Sequence, residues 1–143
     1  MSNLQVLLLA GGKGRRILPL EVCKSLIGFA GKPIIKYIFD DLVKAGLDEI
    51  KIVCPREQST QIKSFFSKQN QKIKFYVQKQ PLGMADGVLS VSDLGNKPLI
   101  IVSPEDLLQP DAFIKFVRHC QKTKDQIVLA GKYQEEYFPG GYF

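Results

Sequence analysis

A glycine-rich run with several basic side chains is the part of this chain best suited to chemistry. It reads Ala10-Gly11-Gly12-Lys13-Gly14-Arg15-Arg16 and follows an apolar run. Glycines let the backbone approach a phosphate and expose its N–H groups, and basic side chains add neutralising charge. A tight turn with solvated charges would have the same composition. Phosphate binding is favoured because the cations between residues 11 and 36 are opposed only by Glu21; they are Lys13, Arg15, Arg16, Lys24, Lys32 and Lys36.

The run matches neither of two common glycine-rich phosphate motifs. A Walker A loop ends in Gly-Lys-Ser/Thr, and the dinucleotide fingerprint has a further glycine and opens a helix at once. Nucleophilic catalysis through a Ser–His–Asp or Cys–His pair is not predicted either, because the single histidine, His119, has no nucleophile motif.

The elements that must position these residues alternate along the chain. Apolar runs predict strands over 4–10, 49–54, 73–78, 99–103 and 126–130, and helical spacing predicts helices over 33–45, 57–68, 83–91 and 111–122. This alternation predicts a doubly wound α/β fold, with a mostly parallel sheet and helices on both faces. Ligands of such sheets bind beyond the carboxyl ends of the strands, which here means 11–24, 55–58, 78–86 and 103–108.

Composition excludes several classes of protein. The chain has 143 residues, 45% hydrophobic and 24% charged, as expected for one globular domain and not for a disordered tail or coiled coil. The sequence shows no membrane-length apolar run and no signal peptide, and its three separated cysteines predict no disulfide framework; a cytoplasmic protein is expected. The net charge of +6 favours anionic partners, although nucleic acid is disfavoured because no helix carries a basic stripe.

The segment from Leu9 to Leu20, Leu-Ala-Gly-Gly-Lys-Gly-Arg-Arg-Ile-Leu-Pro-Leu, resembles the signature of the sugar-1-phosphate nucleotidylyltransferases. The similarity continues through Lys24-Ser25-Leu26, Gly31-Lys32-Pro33-Ile34-Ile35, Ala45-Gly46-Leu47-Asp48-Glu49-Ile50 and Gln78-Lys79-Gln80-Pro81-Leu82-Gly83-Met84-Ala85-Asp86. It is closest to the glucose-1-phosphate thymidylyl- and uridylyltransferases. The resemblance implies a Rossmann-like nucleotide-diphospho-sugar transferase fold.

The resemblance also implies a reaction and a set of residues. An NTP, with dTTP or UTP favoured, would react with a sugar 1-phosphate, with glucose 1-phosphate favoured, to give an NDP-sugar and pyrophosphate. Arg16 and Lys24 would be catalytic, with Arg16 on the β- and γ-phosphates and Lys24 on the α-phosphate and the sugar phosphate. Gln78 would read the base edge, and Gly83 would let the base approach the backbone. The full nucleotide-binding set would be Leu9, Ala10, Gly11, Gly12, Lys13, Gly14, Arg15, Gln78, Pro81 and Gly83.

A magnesium site is implied by the same resemblance. The family binds Mg²⁺ through an Asp after the fourth strand, where this chain has Glu105 followed by Asp106. Adjacent carboxylates at a strand exit suit a hard cation, but they also suit an ordinary polar turn. Arg15, Glu21 and Cys23 depart from the family pattern, which leaves room for a divergent or weakened enzyme.

Family members run well past 143 residues, and their later half supplies the sugar pocket. We therefore expect residues 1–143 to form a single nucleotidyltransferase domain, truncated before the sugar-binding half. A non-catalytic nucleotide-binding or regulatory half-domain is the alternative. The resemblance further implies a homo-oligomer, a dimer or a tetramer.

Overall fold

The computed structural model describes residues 3–11, 23–47, 49–80, 82–131, 133 and 135. In chain order its elements are β1 (Gln5–Leu9), β2 (Gly28–Phe29), β3 (Lys32–Pro33), α1 (Ile34–Lys44), β4 (Glu49–Pro55), α2 (Ser59–Phe66), β5 (Lys72–Gln78), α3 (Met84–Leu89), β6 (Leu99–Val102) and α4 (Pro110–Lys122). Short 3₁₀ turns lie at Lys24–Leu26 and Arg56–Gln58.

The main sheet has four parallel strands in the order β5-β4-β1-β6. The strand β1 lies between β4 and β6, with Leu8 beside both Ile52 and Val102. Along the chain, β4 and β5 therefore join one side of β1, and β6 then joins the other side. A crevice opens at the carboxyl ends of the strands where this order reverses, which here is between β1 and β6.

Helices cover both faces of the sheet, as the sequence predicts, but unequally. The helices α1, α2 and α4 pack on one face around a core that includes Ile38, Phe39, Ile52, Phe66 and Phe113. The opposite face holds a smaller cluster, Leu7, Leu9, Val53 and Val91, against which Val88 of α3 packs. Because β1 is buried on both faces, its sequence is a continuous apolar run.

A polar network anchors the segment after α3 to this second face. The ammonium group of Lys51, which is buried in β4, donates hydrogen bonds to Gln5 Oε1 at 2.8 Å and to the Asp93 carbonyl at 3.0 Å. The Asp93 carboxylate accepts hydrogen bonds from Lys74 Nζ at 2.8 Å and from the Tyr76 hydroxyl at 2.5 Å. Pairing with Asp93 and Gln5 explains how a lysine can be buried in a central strand.

Two features differ from the expectation. A short antiparallel pair, β2–β3, precedes α1 in a region for which the sequence predicted no strand. The prediction of a strand over 126–130 is wrong, since that segment has no regular structure and Ile127 and Leu129 are 78% and 66% exposed. A strand needs a hydrogen-bonding neighbour, and among the described residues none is paired with the free side of β6.

Of the helices in the described ranges, none combines the length and the apolar character that crossing a membrane requires.

Candidate functional site

The strand β1 delivers the start of the glycine-rich run to the crevice. The Ala10 N–H donates to the Val53 carbonyl at 2.8 Å, so the chain stays attached to β4 up to the strand exit. The side chains of Leu9 and Ala10 are buried in the core, which leaves their backbone as the part able to face a ligand. Gly11 is exposed. The predicted site residues Gly12, Lys13, Gly14, Arg15, Arg16 and Pro81 lie outside the described residues and remain predictions.

Gln78, at the end of β5, meets Gly11 across the end of β4. A Cβ placed on Gly11 would lie 3.2 Å from Gln78 Oε1, which is tighter than nine in ten real Cβ contacts. Gln78 is 8% exposed, and its Nε2 donates to the Gly83 carbonyl at 3.0 Å and to Asp86 Oδ2 at 2.6 Å. Three residues predicted from the resemblance, Gly11, Gln78 and Gly83, therefore lie together at one point of the strand-end edge.

The close approach of α3 to the sheet brings Gly83 and Asp86 within hydrogen-bonding distance of Gln78. A Cβ on Gly87 would lie 3.2 Å from Leu9 Cδ2 and 3.9 Å from Val53 Cγ1, so a glycine lets the helix sit directly on the strands. Gly83 has φ of +112°, a region that favours glycine, and it turns the chain from β5 into α3.

Asp86 is a site residue to which sequence reasoning assigned no role. Its carboxylate belongs to the first turn of α3 and binds the Gln78 amide. Two sequence signals lay beside it: Asp86 ends the segment from Gln78 that resembles the family, and the next residue, Gly87, is an isolated glycine within a helical pattern, which often marks close packing.

Lys24 and Glu105 meet at the same end of the sheet. Lys24 Nζ lies 2.5 Å from Glu105 Oε1, and the two side chains are 40% and 43% exposed. Lys24 belongs to the 3₁₀ turn before β2, whereas Glu105 follows β6. The structure thus brings together a predicted phosphate ligand and a predicted metal ligand.

Asp106 is directed differently from Glu105. Its Oδ2 accepts a hydrogen bond from the Ser103 N–H at 3.1 Å, and its own N–H donates to the Ser103 carbonyl at 3.1 Å. Asp106 therefore closes the turn that presents Glu105. Among the described residues no three His, Cys, Asp or Glu side chains form a metal-binding group. Carboxylate oxygens still fit Mg²⁺, which proteins hold through one or two carboxylates together with phosphates and water.

The thiols near this edge are protonated. Burial raises the pKa of Cys23, which precedes Lys24, and raises the pKa of Cys54 in β4 to about 11. A thiol in that state is a poor nucleophile, so the charged groups at this edge are the ones available for chemistry.

The chain resembles known proteins along most of its length. It is 29% identical over 123 residues to the glucose-1-phosphate thymidylyltransferase of Actinoplanes sp., covering 82% of this chain and 41% of the relative. It is 28% identical over 141 residues to the mannose-1-phosphate guanylyltransferase catalytic subunit beta of Xenopus tropicalis, covering 92% and 39%. It is 28% identical over 123 residues to the bifunctional protein GlmU of Symbiobacterium thermophilum, covering 82% of this chain and 25% of that relative. The chain thus spans a quarter to two fifths of the length of these curated relatives.

A solved structure confirms the fold. The crystal structure of a Bacillus anthracis protein, assigned as a glucose-1-phosphate thymidylyltransferase and in complex with a sucrose, superposes with a TM-score of 0.66. At 22% identity it covers 71% of this chain and 44% of that chain. The nucleotidyl transferase family profile matches residues 5–140, nearly the whole sequence. This match, together with the α/β fold and relatives that are themselves nucleotidyltransferases, shows that the chain belongs to the nucleotidyl transferase family.

Proposed function

We propose that this chain transfers a nucleotidyl group from an NTP, dTTP or UTP, to a sugar 1-phosphate, with glucose 1-phosphate as the favoured acceptor. Pyrophosphate leaves and an NDP-sugar forms. The main observation behind the proposal is that Gly11, Gln78 and Gly83 lie together at the strand-end edge of the sheet. The Lys24–Glu105 pair lies at the same edge. Neutral hydrogen-bonding groups suit a base, and charged groups suit phosphates.

The proposed chemistry needs no protein nucleophile. A phosphate oxygen of the sugar 1-phosphate attacks the α-phosphorus, and the bond to the β-phosphate oxygen breaks on the opposite side. Catalysis then depends on positioning the two substrates and on neutralising charge. Lys24 would contact the α-phosphate and the sugar phosphate, and Arg16 would bind the departing pyrophosphate.

Magnesium would bind at the turn after β6. Glu105 would be the ligand, because its carboxylate is exposed and held only by Lys24 among the described residues, whereas Asp106 binds backbone within its own turn. The ion, when bound, neutralises charge on the phosphates. Lys24 would exchange Glu105 for a phosphate oxygen, a small cost for a partly exposed ion pair.

The test is a pyrophosphate-release assay with UTP or dTTP, glucose 1-phosphate and MgCl₂ on this chain extended by the C-terminal half of the thymidylyltransferase relative, alongside nucleotide binding by the 143-residue chain in calorimetry. We expect turnover that Arg16→Ala lowers at least about 100-fold, since it removes a charged transition-state contact. Arg118→Ala, which removes an exposed arginine from α4, is the matched control and should keep full activity.

The two remaining outcomes separate the alternatives. If Arg16→Ala weakens nucleotide binding but no pyrophosphate is released by the unaltered protein, nucleotidyl transfer is excluded and the non-catalytic nucleotide-binding role is supported. Absence of nucleotide binding in the unaltered chain would overturn both.

A further inference from the structure

The Gln78 side-chain amide is held in one orientation by two acceptors. Nε2 donates to the Gly83 carbonyl at 3.0 Å and to Asp86 Oδ2 at 2.6 Å. A carbonyl and a carboxylate can only accept, so the NH₂ group must face them. Rotating the amide by half a turn would place Oε1 against both oxygens, and the resulting repulsion excludes that orientation.

Asp86 is placed by the packing and hydrogen bonds of its own helix. It lies in α3, directly before Gly87, whose missing side chain lets the helix rest on Leu9 and Val53. Its backbone carbonyl accepts a hydrogen bond from the Ser90 hydroxyl at 2.8 Å. A carboxylate on a packed helix can orient a partner side chain, whereas one on a loose segment cannot.

The orientation decides which atom Gln78 offers to the crevice. With both N–H groups bound, Oε1 points to Gly11, and it lies 3.2 Å from the place where a Cβ at Gly11 would be. Within the described part of the chain, Oε1 accepts no hydrogen bond. Gly11 is exposed, and because it has no side chain, the space beside Gln78 Oε1 at the strand-end edge of the sheet stays open.

We infer that Asp86 is a positioning residue that makes Gln78 a hydrogen-bond acceptor for the base of the nucleotide. This inference rests on the proposed function, which places a base at Gln78. An acceptor at that point selects a base whose ring nitrogen carries a hydrogen. Uracil, thymine and guanine have such a ring N–H, whereas the corresponding ring nitrogen of cytosine or adenine is itself an acceptor.

Calorimetric titration of the full chain with UTP and CTP tests the selectivity, because these ligands share sugar and triphosphate. We expect UTP to bind about tenfold more tightly than CTP, as one mismatched hydrogen bond would cause. In Asp86→Ala only the Gly83 carbonyl still accepts from Nε2, so the preference for one orientation weakens and the ratio should fall to about twofold. Asp86→Asn keeps an acceptor oxygen for Nε2, so its ratio should stay within about threefold of the unaltered chain.

The control variant is Asp111→Ala, which removes one carboxylate from α4 on the other face of the sheet and should leave the ratio unchanged. An NMR measurement on the free chain gives a second readout that needs no ligand. The two Nε2 protons of Gln78, assigned by their loss in Gln78→Met, should resonate away from their free-amide positions, and in Asp86→Ala the proton that binds Asp86 should move towards its free-amide position.

Three outcomes would count against the inference. Free-amide shifts for Gln78 in the unaltered chain would overturn the orientation. Equal affinity for UTP and CTP, with the shifted resonances in place, would overturn the selectivity and leave the proposed function standing. Failure of both nucleotides to bind would overturn the proposed function, and the base-reading role with it.

Discussion

Lys24 Nζ lies 2.5 Å from Glu105 Oε1, so two segments 81 residues apart are joined at the ligand edge of the sheet. The two side chains are 40% and 43% exposed, and an ion pair in that setting contributes less than about 1 kcal/mol to stability. The pair is therefore better suited to placing two opposite charges than to holding the fold together.

Replacing Glu105 by glutamine should separate these roles. We expect Glu105→Gln to change the midpoint of thermal unfolding by less than about 4 °C, because little stability is at stake. The additional stabilisation that MgCl₂ gives in the presence of UTP should disappear, since the proposed metal ligand is gone. Glu49→Gln, an exposed carboxylate at the start of β4, is the control. An unchanged MgCl₂ effect in Glu105→Gln would remove Glu105 from the metal site.

A side chain at Gly11 should interfere with ligand binding more than with folding. The Cβ of Gly11→Ala would lie 3.2 Å from Gln78 Oε1, and Gln78 cannot yield without straining its bonds to Gly83 and Asp86. We expect about a tenfold loss of UTP affinity by calorimetry, with a small change in unfolding temperature. Gly28→Ala, where a Cβ meets nothing within 4 Å, should bind UTP normally. Equal affinities for the two variants would contradict the proposed position of the base.

The aromatic core between α1, α2 and β5 should dominate stability. Phe39 is 1% exposed, and its ring centroid lies 4.8 Å from that of Phe66. Phe39→Ala should lower the free energy of unfolding in urea by about 3–5 kcal/mol, because it leaves a cavity. Phe29→Ala makes the same chemical change where the ring is 62% exposed and should cost less than about 1 kcal/mol. Similar losses for both variants would be incompatible with this core.

Asp93 should make stability depend on pH in the acid range. Hydrogen bonds from Lys74 and Tyr76 hold the pKa of Asp93 well below its ordinary value of 3.8. A lowered pKa in the folded state means that the carboxylate stabilises the fold above the ordinary pKa, and that this contribution is lost as the pH falls further. The unfolding temperature should therefore decrease below about pH 4.

Asp93→Asn should lower the unfolding temperature at neutral pH and flatten its fall in acid, because Lys51, Lys74 and Tyr76 lose a charged partner. Glu49→Gln is again the control, since Glu49 lies 3.9 Å from Lys74 and has no closer ion-pair partner among the described residues. An acid profile in Asp93→Asn that matches the unaltered chain would show that other carboxyl groups cause the decrease.

Local patterns predicted most of the elements, because they depend on interactions within a few residues. The helical spacing of Ile35, Ile38 and Leu42 follows from one buried face, and those side chains are buried in α1. Gly46 directly follows the helix predicted over 33–45 and has φ of +80°, which favours glycine at a helix end. The same approach wrongly predicted a strand over 126–130, because an apolar run alone does not show whether a neighbouring strand is available.

The amino-acid pattern was enough to predict the α/β class, the position of the glycine-rich run after β1 and, through its motif, the family. Three contacts became visible in the folded chain alone: Asp86 binds the Gln78 amide, Glu105 pairs with Lys24, and Asp106 closes a turn. The physical reason is that strand order and helix packing create these contacts between separate elements. Hydropathy and backbone preference act along the chain, whereas the atom that a side chain presents to a ligand depends on what the fold places beside it.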